Sequence, residues 1–234
     1  MSMRTRTTHL PDVGRPDATF MVAREFTVSV PESQRPAADV LLDAWDHIRW
    51  PAGLISVSVY LGTDGVTIFH YVQWTEQAAY ERYIASGDPG PAPYILRNAP
   101  GLAMSNLAEY AVYRSARNAT AVEPGCIVIV NVEFDGPDER RQHDWVDAVF
   151  AALEQDAAAG RLPAGGLGAS FHVSLDGTRV LNYAEWVDEA AHIAALERGG
   201  ASTGSGEQWR RIQQYPGIVR STVRRFLPYR QRTA

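Results

Sequence analysis

The chain has 234 residues, 45% of them hydrophobic and 21% charged, with a formal net charge of −5. This composition suits one or two globular domains, and no apolar run approaches the ~20 residues that a membrane-spanning helix needs. All 22 basic residues are arginine, which excludes a Schiff-base lysine, lysine-bound pyridoxal phosphate and a Walker-type phosphate loop. The lone cysteine, Cys126, excludes an internal disulfide. Together with an N-terminus that lacks an apolar signal core, it predicts a cytoplasmic protein.

In chain order, residues 1–18 are polar and Pro-containing and read as a flexible tail. A first strand is predicted over 19–30. A helix follows over 31–48, with Val40, Leu41, Ala44, Trp45 and Ile48 as its apolar stripe. Strands over 53–61 and 66–74 are joined at Asp64-Gly65, a hairpin-turn signal. A second helix is predicted over 75–85 with Thr75 as its N-cap, then a fourth strand over 102–113. Residues 115–124 read as a linker. Beyond it come a strand at 126–134, a helix at 137–155, strands at 166–174 and 178–186, a helix at 188–198 and a strand at 217–227.

The second series copies the first. Trp74 and Trp186 each close a strand and open an alanine-rich acidic helix, 112 residues apart. At that offset Pro51-Ala52-Gly53 falls on Pro163-Ala164-Gly165, Asp64-Gly65 on Asp176-Gly177, and Tyr71 on Tyr183. Phe20 to Pro31 matches Cys126 to Pro137 at an offset of 106, and Tyr113-Arg114 matches Tyr229-Arg230 after a short insertion. Such self-similarity predicts two tandem repeats, residues 19–114 and 125–230. Each reads β-α-β-β-α-β, the ferredoxin-like unit, which makes the chain α+β. One such sheet carries helices on only one face, so the expected arrangement is two repeats packed sheet to sheet as a pseudo-dimeric α+β barrel. A homodimer of the fused unit is compatible with this.

Strand alternation places Val180, Asn182, Ala184 and Trp186 on one face, and Ile68, His70, Val72 and Trp74 on one face of the first repeat. Ile127, Ile129 and Asn131 share a face of the strand after the linker. An amide in so apolar a strand must find hydrogen bonds or cost about 1–3 kcal/mol, which makes Asn131 either a satisfied core residue or part of a site. The six histidines never fall at a metal-ligand spacing, so no metal site is expected. From Gln208 onward there are seven arginines and no acids. The acidic net charge and the lack of interleaved aromatics argue against nucleic acid and for a solvated strand or an anchor for an anionic substrate. Residues 198–208, glycine-rich, read as a flexible lid.

The two ferredoxin-like copies, with Asn131, Asn182 and Trp186, resemble the antibiotic biosynthesis monooxygenase family. Its members form dimeric α+β barrels and oxidise aromatic polyketides without metal or flavin. In anthrone-oxidising members, an Asn on the first strand and an Asn four residues before a Trp line the cavity. The resemblance implies that Asn131, Asn182, Trp186 and His192 are catalytic and that no cofactor is needed. It also implies a small aromatic substrate and molecular oxygen as partners. His192 would take the substrate proton. In the first repeat the equivalent positions are Glu25, His70 and Trp74, with Tyr80 six residues beyond the Trp as in some relatives. His70, Trp74 and Tyr80 are therefore candidate substrate-binding residues. Either the second repeat is the catalytic half, the favoured reading, or each repeat holds a different pocket. A cyclase or isomerase using the same pocket without oxygen, and a non-catalytic binding subunit, are the alternatives. Haem degradation, known in relatives, needs an axial His ten residues after the Trp, where this chain has Leu196 and Ile84.

Overall fold

The computed structural model describes residues 6–7, 10–118, 122–199, 204 and 206–233. The first half runs β1 (Arg6–Thr7), β2 (Phe20–Thr27), α1 (Gln34–Asp43), β3 (Leu54–Gly62), β4 (Thr67–Trp74), α2 (Gln77–Ala85), α3 (Ala92–Asn98), β5 (Ala103–Met104) and β6 (Ala108–Arg117). The second runs β7 (Cys126–Phe134), α4 (Glu139–Ala158), β8 (Gly166–Ser174), β9 (Arg179–Trp186), α5 (Glu189–Gly199), α6 (Glu207–Gln213) and β10 (Ile218–Thr233). The chain divides into two compact units, Met1–Val112 with Phe226–Ala234, and Tyr113–Arg225, so the boundaries fall inside β6 and β10.

In the first unit the antiparallel order β6-β2-β4-β3 is that of a ferredoxin-like sheet, and the end of β10 adds a strand beside β3. Ile68, Val72 and Trp74 on one face of β4 meet Ala37, Ala38, Leu41 and Leu42 of α1 in a single apolar cluster. The second unit has the corresponding order β10-β7-β9-β8, with the end of β6 beside β8. Its helix α4 is capped by Asp138, whose carboxylate accepts the Arg141 backbone N–H at 3.0 Å. Among the described residues no helix is long and apolar enough to cross a membrane.

Several expectations are corrected. Part of the supposed tail is docked: Arg6–Thr7 pair with Gln231 and Arg232, Val13 and Ala18 are buried, and the Asp12 carbonyl accepts Gln73 Nε2 at 3.0 Å. Gln73 is itself buried, so its amide needs an acceptor, and the tail backbone supplies one. The supposed linker begins as strand, because β6 continues to Arg117. Thr75 is not the cap of α2. Its carbonyl accepts from both the N–H and the hydroxyl of Thr19, which keeps it with the strands, and Glu76 occupies the N-cap position. Helices α3 and α6 were not expected. Of the predicted lid, residues 200–203 and 205 lie outside the described residues, and 207–208 are already in α6.

Candidate active site

A cavity of about 640 Å³ lies wholly within the second unit. Its sheet wall includes Val130, Asn182, Ala184 and Trp186; α4 contributes Trp145 and Phe150, α5 His192 and Leu196, and α6 Trp209 and Ile212. Pairing of Val130 with Asn182 and of Cys126 with Trp186 puts one face of β7 and β9 toward this space. Helix α5 is set over that face by two local devices. Asp188 Oδ1 accepts the Ala191 N–H at 2.7 Å, capping the first turn. Gly165, at φ +89°, lets the loop before β8 touch the helix, since a Cβ there would stand 2.6 Å from Ala191 Cβ. Held this way, the His192 ring stands edge-on to Trp186 with centroids 4.9 Å apart at 72°.

Three polar side chains of the predicted set thus line one cavity: Asn182, Trp186 and His192. Asn182 Oδ1 is buried without a hydrogen-bond partner. An unmet buried acceptor costs about 1–3 kcal/mol, a cost that a ligand donor would relieve. His192 is 2% exposed, and its Nδ1 accepts Arg225 Nε–H at 2.9 Å. Burial, and then the Arg225 charge, lowers its pKa to about 4. His192 thus lines the cavity with its Nδ1 engaged by Arg225 rather than free.

Asn131 is not brought to this wall. It pairs with Leu181, so the two-residue alternation of β7 turns it away from the face carrying Val130 and Val132, and it does not line the cavity. His70, Trp74 and Tyr80 are 8%, 1% and 6% exposed and belong to the packed interior of the first unit. Trp74 meets Tyr80 with centroids 5.4 Å apart, and His70 stacks on Trp45 at 6.3 Å. Burial, and then Arg24, lowers the His70 pKa to about 3, while burial, and then Glu109, raises that of Tyr80 to about 12. Aromatic packing leaves these three candidate substrate-binding residues little exposed surface, and none of them lines the cavity of the second unit.

The sequence reading missed much of the cavity's aromatic lining. Trp145 and Phe150 of α4 fall with Val149 and Leu153 on a helical stripe that was readable. Trp209 and Ile212 carry the same i, i+3 signal, hidden behind the preceding glycines. Two indole N–H groups tie α6 down, Trp145 Nε1 to the Ile212 carbonyl at 3.1 Å and Trp209 Nε1 to Asp156 Oδ2 at 2.7 Å. The C-terminal arginines are engaged internally: Arg210 and Arg211 with Glu207, Arg225 with His192, Arg230 with Asp39, and Arg232 with Asp43 and Asp46. Among the described residues, no group of three or more His, Cys, Asp or Glu side chains is placed to hold a metal ion.

Fold and cavity together define a ferredoxin-like α+β protein with an aromatic-lined pocket against one sheet. No family model matches the sequence, and no curated protein matches it. Solved structures do. An anthrone oxidase-like protein is similar at 17% identity over 94% of each chain, with a TM-score of 0.70. A protein from Fusobacterium nucleatum named as a monooxygenase is similar at 10% identity, over 94% of this chain and 96% of its own, with a TM-score of 0.57. Chlorite dismutase from Candidatus Nitrospira defluvii is similar at 13% identity, over 92% and 94%, with a TM-score of 0.51. At these identities the likeness is one of fold, and the range of names shows how many chemistries that fold carries.

Proposed function

We propose that this protein is a cofactor-independent monooxygenase. It oxidises a polycyclic aromatic substrate of the anthrone or hydroquinone type to a quinone in antibiotic polyketide biosynthesis. Its partners are that small molecule and molecular oxygen, without nucleic acid or membrane, and it works in the cytoplasm. On this reading the chain is a tandem duplication forming a pseudo-dimeric barrel, with the second repeat catalytic. The observation that carries the proposal is the cavity of about 640 Å³, lined by four tryptophan and phenylalanine rings beside Asn182, Trp186 and His192. It suits a flat apolar ring system with a polar edge. Similarity to an anthrone oxidase-like protein supports the reading.

The residues would act as follows. The anthrone gives up a proton to solvent, and its anion is electron-rich enough to give one electron to triplet oxygen. The resulting radical pair combines at the ring carbon to a peroxide anion, which takes a proton back and loses water to leave the quinone. One oxygen atom ends in the product and the other in water. The apolar walls exclude solvent and strengthen every interaction inside them. The Asn182 amide and Trp186 indole N–H are neutral donors for the developing oxyanion and peroxide.

The test is oxygen uptake by purified protein given an anthrone, with ¹⁸O₂ labelling of the product. One labelled atom in the quinone and one oxygen consumed per turnover is the expected result. Substrate rearranged without oxygen consumption would make the protein a cyclase or isomerase. Tight binding with no turnover would make it a binding subunit.

A further inference from the structure

A neutral imidazole has one nitrogen carrying a proton and one carrying a lone pair. Arg225 Nε–H can only donate, and it lies 2.9 Å from His192 Nδ1. Nδ1 therefore holds the lone pair and Nε2 the proton. We infer that Arg225, on β10, is a positioning residue that locks His192 as a neutral Nε2–H donor, so that the pocket binds a substrate oxyanion with His192, Asn182 and Trp186. This rests on the oxygenase reading and reverses the direction in which its histidine would move a proton.

The surroundings of the ring favour that lock. From β9 it meets Trp186, which does not titrate, and from β10 the permanently charged Arg225. On the β7 side, Cys126 and Val128 join Trp186 and Ala195 of α5 in one buried cluster. A second positive charge on the ring would face Arg225 in a desolvated site, and the ring's lowered pKa agrees. The other tautomer, with Nδ1 protonated, would set two donors against each other. The chemical consequence concerns substrate choice. The carboxylates on the lining, Glu185 and Glu154, are paired with Arg117 and Arg114, so the neutral donors select hydroxyaromatics acidic enough to ionise near neutral pH and stabilise the anion once formed.

The experiment is ¹⁵N NMR of histidine-labelled full-length protein, assigned by comparison with His192→Gln. In the wild type His192 should show the Nε2–H tautomer and no titration between about pH 5 and 8, against an ordinary histidine pKa of about 6.5. Arg225→Leu should release the ring to a tautomer mixture that titrates between about pH 5 and 7. Arg225→Gln, which keeps a donor without the charge, should retain the tautomer, and it serves if the leucine variant does not fold. With an anthrone substrate, Arg225→Leu should lose about 100-fold in kcat with KM little changed, as expected for a misplaced donor. It should also gain an inflection near the new pKa in its pH profile. An Nδ1–H tautomer, or a wild-type His192 titrating near 6.5, would overturn the inference. Failure of the oxygenase reading shows separately, as absent oxygen uptake by the wild type, and leaves the tautomer measurement standing.

Discussion

Trp74 and Trp186 close corresponding strands of the two units and meet opposite fates. Trp74 is 1% exposed inside a cluster of eighteen buried residues, and its indole Nε1 is buried without a partner. Trp186 belongs to a buried cluster of four and lines a cavity of about 640 Å³. At the 112-residue offset the neighbours explain why. Trp50, Val72, Tyr80 and Tyr83 in the first unit stand where the second has Leu162, Ala184, His192 and Ala195. Every one of these positions is smaller in the second unit. Close packing leaves no room for a void unless volume is removed, and three of these positions, Leu162, Ala184 and His192, line the cavity. The polar remnants differ in the same sense. His70 Nε2 and Trp74 Nε1 are orphaned inside a full core, whereas Asn182 is orphaned at the wall of a space that a ligand can enter.

This contrast can be broken most directly at the tryptophans. Trp74→Ala should cost about 3–5 kcal/mol of stability, because surrounding rings cannot collapse into the hole. Trp186→Ala, already beside empty space, should cost clearly less stability and more turnover. Equal losses in chemical denaturation would remove the distinction between core and pocket.

Asn182→Ala is the next test in size. Losing one preorganised oxyanion donor costs about 3–4 kcal/mol of transition-state stabilisation, or roughly 100- to 1000-fold in kcat. The melting temperature should hold or rise, since the buried Oδ1 has no protein partner to lose. A large fall in melting temperature with normal turnover would make Asn182 a core residue.

The smallest effect is a slope with pH. His70 is held neutral to about pH 3, while an unfolded histidine ionises near 6.5. As pH falls below 6.5 the unfolded chain takes up a proton that the native chain refuses, so stability present above that pH is lost progressively toward pH 3. One such group contributes at most ~1.4 kcal/mol per pH unit in that window. His70→Leu should flatten the acid limb of the stability curve without moving the neutral value by a comparable amount. An unchanged acid limb would mean that His70 titrates normally.

The sequence alone determined the order of the longer strands and helices, though not α3 and α6. Period-two alternation, Asp-Gly turns and the repeated Pro-Ala-Gly are local signals, and they read the same in both units. It also placed Asn182 and Trp186 on one strand face, because side-chain direction along a strand follows from backbone geometry. Asn131 failed by one residue for the same reason: a single step in register turns a side chain to the other face, and only the pairing with Leu181 reveals which step is taken. Tertiary structure alone decided that Trp74 is filled in and Trp186 is not. Whether a void exists depends on the summed volumes of residues from several elements, which no local pattern reports. It also decided which partner His192 faces. A histidine's protonation follows from what its ring nitrogens face, and Arg225 reaches Nδ1 from thirty-three residues away in sequence.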